Sequence, residues 1–212
     1  MKPSRYPLVL LVLVLAFFIW SGLDVQDTRL TWVLEVMPFI IVLPILLLTY
    51  QRFPLSNLTY ALIALHAIIL MLGGHYSYAK VPLGFWMNEC FGWTRNNYDK
   101  IGHLMQGLGP AIYTREILWR TSPLRPGKWL TFMAISVPLA FSALYEIIEW
   151  AMSALFQADA EAFLGTQGYI WDTQTDMLFC LIGSVLAVLT LQELHNRSVR
   201  RVQTAQEPHL NP

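Results

Sequence analysis

Long apolar segments constrain this chain more than any other feature. Six of them follow one another along the 212 residues, at 7–22, 31–50, 57–74, 98–119, 129–155 and 173–193. A helix needs about 20 apolar residues to cross the hydrocarbon core of a bilayer, and somewhat shorter segments are tolerated. Backbone polar groups in lipid must be satisfied within such a segment, which favours helices. We therefore predict an all-α fold, a six-helix transmembrane bundle.

The composition supports a membrane environment. The chain is 55% hydrophobic and 13% charged, whereas a soluble globular domain carries about 25% charged residues. Its formal net charge is zero, so no basic excess indicates a nucleic-acid partner, and the lipid bilayer is the expected one. Cys90 lies in a polar stretch and Cys180 in an apolar one, so we predict no disulfide between them.

The N-terminal segment has some features of a signal peptide. Lys2 and Arg5 precede an apolar run of signal-peptide length. No small-x-small cleavage site follows this run. We therefore expect residues 7–22 to form an uncleaved first transmembrane helix.

The fourth segment is the weakest, because Gly107, Gly109 and Pro110 interrupt it. The distribution of basic residues supports it. Most of them lie before the first segment, between the second and third, between the fourth and fifth, and after the sixth, whereas the other connecting stretches hold few. Six crossings place this majority on one side, as the positive-inside rule requires. We predict cytoplasmic N and C termini, one domain over 1–196, a short polar cytoplasmic tail over 197–212, and an outer loop over 75–97.

Ionisable residues occur in pairs at the ends of three segments. The pairs are Asp99 with His103, Glu146 with Glu149, and Asp172 with Asp176. Within each pair the spacing is three or four residues, so both members share one helix face.

The three pairs are expected at one depth. If Trp129 marks the inner boundary of the fifth helix, a core of about 30 Å at about 1.5 Å per residue ends near Glu149. Glu146 then lies about one helical turn inside the outer boundary. The same reasoning places Asp176 and His103 at that level. Ionisable groups at such a depth are costly and usually mark a site.

We predict an inner group of His103, Glu146 and Asp176, the candidate catalytic residues, with Asp99, Glu149 and Asp172 supporting it. Three chemistries fit. The first is binding of a divalent metal ion, for which the candidate ligands are His103, Glu146, Glu149, Asp172 and Asp176. The second is acid–base chemistry on a lipid headgroup or carrier. The third is proton relay.

Structural roles are alternatives for each residue. Asp99 and Asp172 are equally well explained as acids that stabilise helix N-termini, and Glu149 as an interfacial acid beside Trp150. The inner group could instead form static hydrogen bonds or ion pairs that hold the helices together. Arg95 is expected to be solvated rather than to bind an anionic headgroup.

Three stretches carry a resemblance to a known family. Residues 98–103 (YDKIGH), 143–149 (ALYEIIE) and 165–176 (GTQGYIWDTQTD) resemble the bacterial inner-membrane YjdF family. The resemblance extends from about the second segment to the sixth, and it implies a multi-pass protein of the bacterial inner membrane. More distantly, the membrane-entry histidine, the mid-chain glutamate and the late Asp-x-x-x-Asp pattern are similar to VanZ-like membrane proteins.

Our leading functional hypothesis is an outward-facing acidic and histidine site that binds a divalent cation or a lipid-linked or envelope metabolite. Two alternatives stay open. One is a proton- or ion-coupled transporter, for which only Arg115 and Glu116 supply polarity near the inner face. The other is a non-catalytic structural or partner-binding membrane protein.

Overall fold

The computed structural model describes residues 5–156, 167 and 169–206. Seven α-helices occur in these ranges: α1 Arg5–Gly22, α2 Arg29–Thr49, α3 Asn57–Tyr76, α4 Pro82–Phe91, α5 Tyr98–Thr121, α6 Lys128–Phe156 and α7 Asp172–Gln206. A short 3₁₀ helix, Tyr78–Lys80, precedes α4. No strand occurs in the described ranges, so the all-α prediction is confirmed for this part of the chain.

Five of the helices are long and apolar enough to cross a membrane: α1, α2, α3, α6 and α7. Their outer surfaces expose large aliphatic side chains, among them Leu8, Leu48 and Leu189, which are 60%, 81% and 75% exposed. Exposed apolar faces of this extent fit a lipid environment. The helix α5 is not in this set, because charged residues lie at both of its ends and its middle contains glycine, histidine, glutamine and proline residues.

The helix α5 lies at the centre of the bundle, in contact with α3, α6 and α7, while α1 and α2 pack on α3. Gly107 of α5 faces the backbone of Cys180 in α7, and Gly183 of α7 faces the backbone of Leu104 in α5. A Cβ atom at either glycine would overlap the opposite backbone. Small residues therefore let these two helices approach closely, as is common between membrane helices.

A buried polar network closes the C-terminal end of α5. The carboxylate of Glu116 accepts hydrogen bonds from the Ser56 backbone N–H at 2.7 Å and from Arg120 at 2.9 Å. Its other oxygen lies 3.3 Å from Nε2 of His195, and Nδ1 of His195 accepts from Arg115 at 2.7 Å. We call these residues the inner network. Arg115 and Glu116 thus bond to α3 and α7 rather than to each other.

Two stretches differ from the sequence prediction. Residues 75–97 were expected to form a loop, but they contain the 3₁₀ helix and α4. Asn96 organises this stretch: its Nδ2 donates to the Val81 carbonyl at 2.9 Å, and its Oδ1 accepts from the Tyr98 N–H at 3.1 Å. The other difference is at the C-terminal end, where α7 continues through 197–206 and buries Val199 completely. Charged residues such as Arg197 do not end a helix that has no glycine or proline stop.

Candidate functional site

Five of the six residues of the sequence pairs, all but Glu149, come together where the N-terminal ends of α5 and α7 meet the C-terminal part of α6. Asp99 and Asp172 lie in the first turns of α5 and α7, where a negative charge is favoured by the helix dipole. One turn further along, His103 and Asp176 face Glu146 of α6. These five residues therefore converge through the packing of three separate helices.

A lysine lies at the centre of the acids. Nζ of Lys100 lies 2.7 Å from Oδ1 of Asp172, 2.7 Å from Oδ1 of Asp176 and 3.1 Å from Oδ2 of Asp99. Arg95 adds bonds of 2.8 Å to Asp99 and 2.9 Å to Asp172. We call these five residues the lysine cluster. The expectation that Arg95 is solvated is wrong, because its guanidinium bridges α5 and α7.

His103, Glu146 and Asp176 form a second arrangement, the three-residue group. Nε2 of His103 lies 3.6 Å from Oδ1 of Asp176 and 4.0 Å from Oε1 of Glu146. Both distances are too long for hydrogen bonds. One ligand atom from each residue lies within 4.8 Å of the other two. These atoms thus surround a small space without bonding to one another.

The orientation of His103 is set by a neighbour on the same helix. Its Nδ1 lies 2.8 Å from Oε1 of Gln106. Because an amide oxygen can only accept, Nδ1 carries the hydrogen in this bond. The lone pair of the neutral ring is then on Nε2, which faces the two carboxylates.

The buried charges do not balance within the two groups. Asp99, Asp172, Asp176 and Glu146 supply four carboxylates, whereas Arg95 and Lys100 supply two permanent cations. Oε1 of Glu146 is buried and has no hydrogen-bond partner among the described residues. An uncompensated buried charge is energetically costly, so protons or a further cation are needed to neutralise the excess negative charge of the site.

The remaining predicted residues lie differently. Asp172 belongs to the lysine cluster, and the three-residue group does not include it. Glu149 instead lines a cavity that begins at the site, where Asp99, His103 and Asp176 also line it. This cavity has a volume of about 540 Å³ and lies between α2, α3, α5 and α6. Tyr78 lies in its wall, and burial raises the pKa of the Tyr78 hydroxyl well above its usual range, so this group stays neutral.

Sequence reasoning missed Lys100 and Gln106, whereas Glu35, near the start of the second segment, could be interpreted either as an interfacial acid or as a peripheral member of the site. Lys100 was detectable in principle, because a lysine directly after Asp99 at the start of an apolar helix needs a partner. Gln106 follows His103 by one turn, a spacing that allows a side-chain hydrogen bond. No local signal places Glu35 of α2 in the cavity wall, because its contribution depends on how α2 packs.

Comparisons with known proteins identify the family. The family model described as "Predicted membrane protein (DUF2238)" matches residues 6–197. The chain is 50% identical over 183 residues to Inner membrane protein YjdF of Escherichia coli (strain K12), an alignment that covers 86% of this chain and 87% of the relative. No solved structure matches. The resemblance to the YjdF family is thereby confirmed, and the chain belongs to this predicted membrane protein family, DUF2238, as a multi-pass protein of the bacterial inner membrane.

Proposed function

We propose that the three-residue group binds a divalent cation at the outer end of the bundle. The observation that carries this proposal is that Oε1 of Glu146 is buried, has no hydrogen-bond partner in the part of the chain that the structure describes, and lies 4.0 Å from Nε2 of His103. Asp176 completes a set of ligand atoms within 4.8 Å of one another. Ligands of one ion at about 2.0–2.2 Å lie roughly 3–3.5 Å apart, so a small contraction suffices.

The surroundings support a metal rather than a bare polar contact. A metal-binding histidine commonly donates its other ring N–H to an oxygen, and Nδ1 of His103 has this bond to Gln106. A divalent ion also supplies the two positive charges that the four carboxylates lack. One imidazole and two carboxylates suit magnesium, manganese, iron or zinc. A lipid-linked or envelope metabolite could then reach the ion from the outer side.

The site faces outward if α5 is a sixth crossing, which is the topology that we propose. Its 24 residues span about 36 Å, enough for a hydrocarbon core of about 30 Å. Its charged residues lie near the two ends, where the lysine cluster and the inner network satisfy them. Both termini are then on the cytoplasmic side, together with Arg52, Arg125 and Lys128.

Metal analysis of the purified protein in detergent tests the proposal. We expect about one divalent ion per chain in the wild type and a loss of most of it in Glu146→Gln. Glu35→Gln is the matched control, because Glu35 is also a buried glutamate near this site but is not in the three-residue group. Equal metal content in wild type and Glu146→Gln, or no metal in either after incubation with Mn²⁺ or Zn²⁺, would contradict the proposal.

A further inference from the structure

The cavity that begins at the site is long enough to hold a lipid chain. Its wall follows α5 from Asp99 to Ile117, a distance of about 27 Å at the helical rise. One leaflet of the hydrocarbon core is about 15 Å thick. Most of the lining is aliphatic or aromatic, and the volume of about 540 Å³ is typical of small-molecule sites.

The cavity opens sideways, between α2 and α6. Ile41 and Val42 on α2, and Phe141 and Leu144 on α6, line the cavity and are 53%, 39%, 61% and 50% exposed. Nearer the outer side, the Tyr145 hydroxyl donates to a carbonyl of α2 at 3.4 Å, which bridges the two helices. A hydrocarbon chain can therefore enter from the bilayer through the apolar rim.

The outer end of the cavity is acidic. Among the residues that the structure describes, four carboxylate residues contribute to its lining, and neither lysine nor arginine does. Asp99 and Asp176 are neutralised by the lysine cluster, but Glu35 and Glu149 have no ion pair within the described ranges. Glu35 is only 6% exposed. Its carboxylate makes no hydrogen bond in these ranges, and its oxygens keep some accessible surface.

Aromatic rings also line the acidic end of the cavity. Tyr78 and Tyr145 line the cavity together with the two glutamates. Carboxylates and tyrosine faces both attract a cation. An anionic headgroup would face unpaired glutamates here, which disfavours fatty acids and bare phosphates.

We infer that the cavity binds a single-chain membrane amphiphile with an amine headgroup. Its ammonium group lies at Glu35 and Glu149, and its hydrocarbon chain runs along α5 towards Ile117. The amphiphile comes from the bilayer, because the rim of the cavity is apolar and exposed. The headgroup contacts Glu35 and Glu149 lie outside the three-residue group, although His103 and Asp176 also line the cavity. Variants of these two glutamates therefore test this binding site separately from the proposed metal site.

Ligand titration of the full chain in a neutral detergent tests this inference. We expect hexadecylamine to bind saturably and to raise the melting temperature. Hexadecanol and hexadecanoic acid should bind at least about tenfold more weakly, because they lack the charge-assisted hydrogen bonds. Butylamine should not bind measurably, because it lacks the chain. Hexadecanoic acid binding as tightly as hexadecylamine would overturn the inference.

Variants separate the headgroup from the chain. Glu35→Gln and Glu149→Gln should each weaken hexadecylamine binding about tenfold, while Glu89→Gln, an exposed carboxylate variant in α4, should not. Thr114→Trp, which fills the chain region of the cavity, should also weaken it. Wild-type affinity in both Glu35→Gln and Glu149→Gln would overturn the inference.

Failure of this inference can be told apart from failure of the metal proposal. Glu146→Gln should lose the metal and still bind hexadecylamine. Glu35→Gln should keep the metal and lose hexadecylamine.

Discussion

Nζ of Lys100 lies 2.7 Å from Oδ1 of Asp176, the same oxygen that faces His103 at 3.6 Å. One carboxylate therefore belongs to both the lysine cluster and the three-residue group. This shared residue connects the charge balance at the N-termini of α5 and α7 with the candidate metal site one turn below.

Removal of the central lysine should destabilise the bundle. Lys100→Met leaves three carboxylates facing one another, and Arg95 is then the one permanent cation that pairs with them among the described residues. Breaking a buried ion pair costs about 3–5 kcal/mol, so we expect the free energy of unfolding in detergent to fall by about this amount. Lys80→Met, at an exposed lysine of the 3₁₀ helix, is the control. Equal free energies of unfolding for Lys100→Met and the wild type would mean that the lysine cluster contributes little to stability.

The hydrogen bond from His103 to Gln106 should tune metal affinity. Gln106→Leu removes the acceptor of the Nδ1 hydrogen, so the ring is no longer held with its lone pair towards the carboxylates. Loss of such a bond typically lowers metal affinity about 10–100-fold. Gln174→Leu, at an exposed position of α7, should keep the wild-type affinity. Isothermal titration calorimetry with Mn²⁺ or Zn²⁺ measures the metal affinities of both variants. Unchanged affinity in Gln106→Leu would show that this bond does not orient a ligand.

The glycine contact between α5 and α7 should be essential for packing. A Cβ atom at Gly107 would overlap the backbone of Cys180, so Gly107→Ala forces the helices apart. Overpacking of this kind costs about 1–3 kcal/mol. Gly127→Ala is the control, because its Cβ would meet only a carbonyl oxygen at 3.8 Å. Thermal unfolding in detergent compares the two variants, and equal melting temperatures would contradict the close contact.

The inner network should stabilise the bundle without affecting metal content. Glu116→Gln weakens bonds to His195 and Arg120 at a fully buried position, and we expect a loss of about 1–3 kcal/mol. Glu193→Gln, at an exposed position of α7, should leave the melting temperature unchanged. A lower metal content in folded Glu116→Gln would instead indicate that the two ends of the bundle are coupled.

The proposed topology predicts where a membrane-impermeant thiol reagent can react. Cys90 is exposed in α4, whereas Cys180 is buried, so spheroplasts should be labelled at Cys90 alone. If α5 crosses the membrane, residues 90 and 125 lie on opposite sides. A Cys90→Ser, Arg125→Cys variant should therefore react only after the membrane is permeabilised. Labelling of position 125 in sealed spheroplasts would exclude the six-crossing arrangement.

Helices and spacings were predictable because they depend on local properties of the chain. The six predicted segments are all helical in the structure, since apolar length and backbone satisfaction in lipid leave little alternative. The spacing of three or four residues within each pair, together with a constant helical rise, was enough to expect His103, Glu146 and Asp176 at one level.

Only the tertiary structure decided which of these residues face one another. The close contact at Gly107 and Gly183 sets the rotation of α5 against α7, which turns Lys100 towards Asp172 and Asp176. The packing of α2 on α3 likewise places Glu35 in the cavity wall. Helical periodicity defines the faces of a single helix, but which face meets which neighbour depends on contacts between residues far apart in sequence.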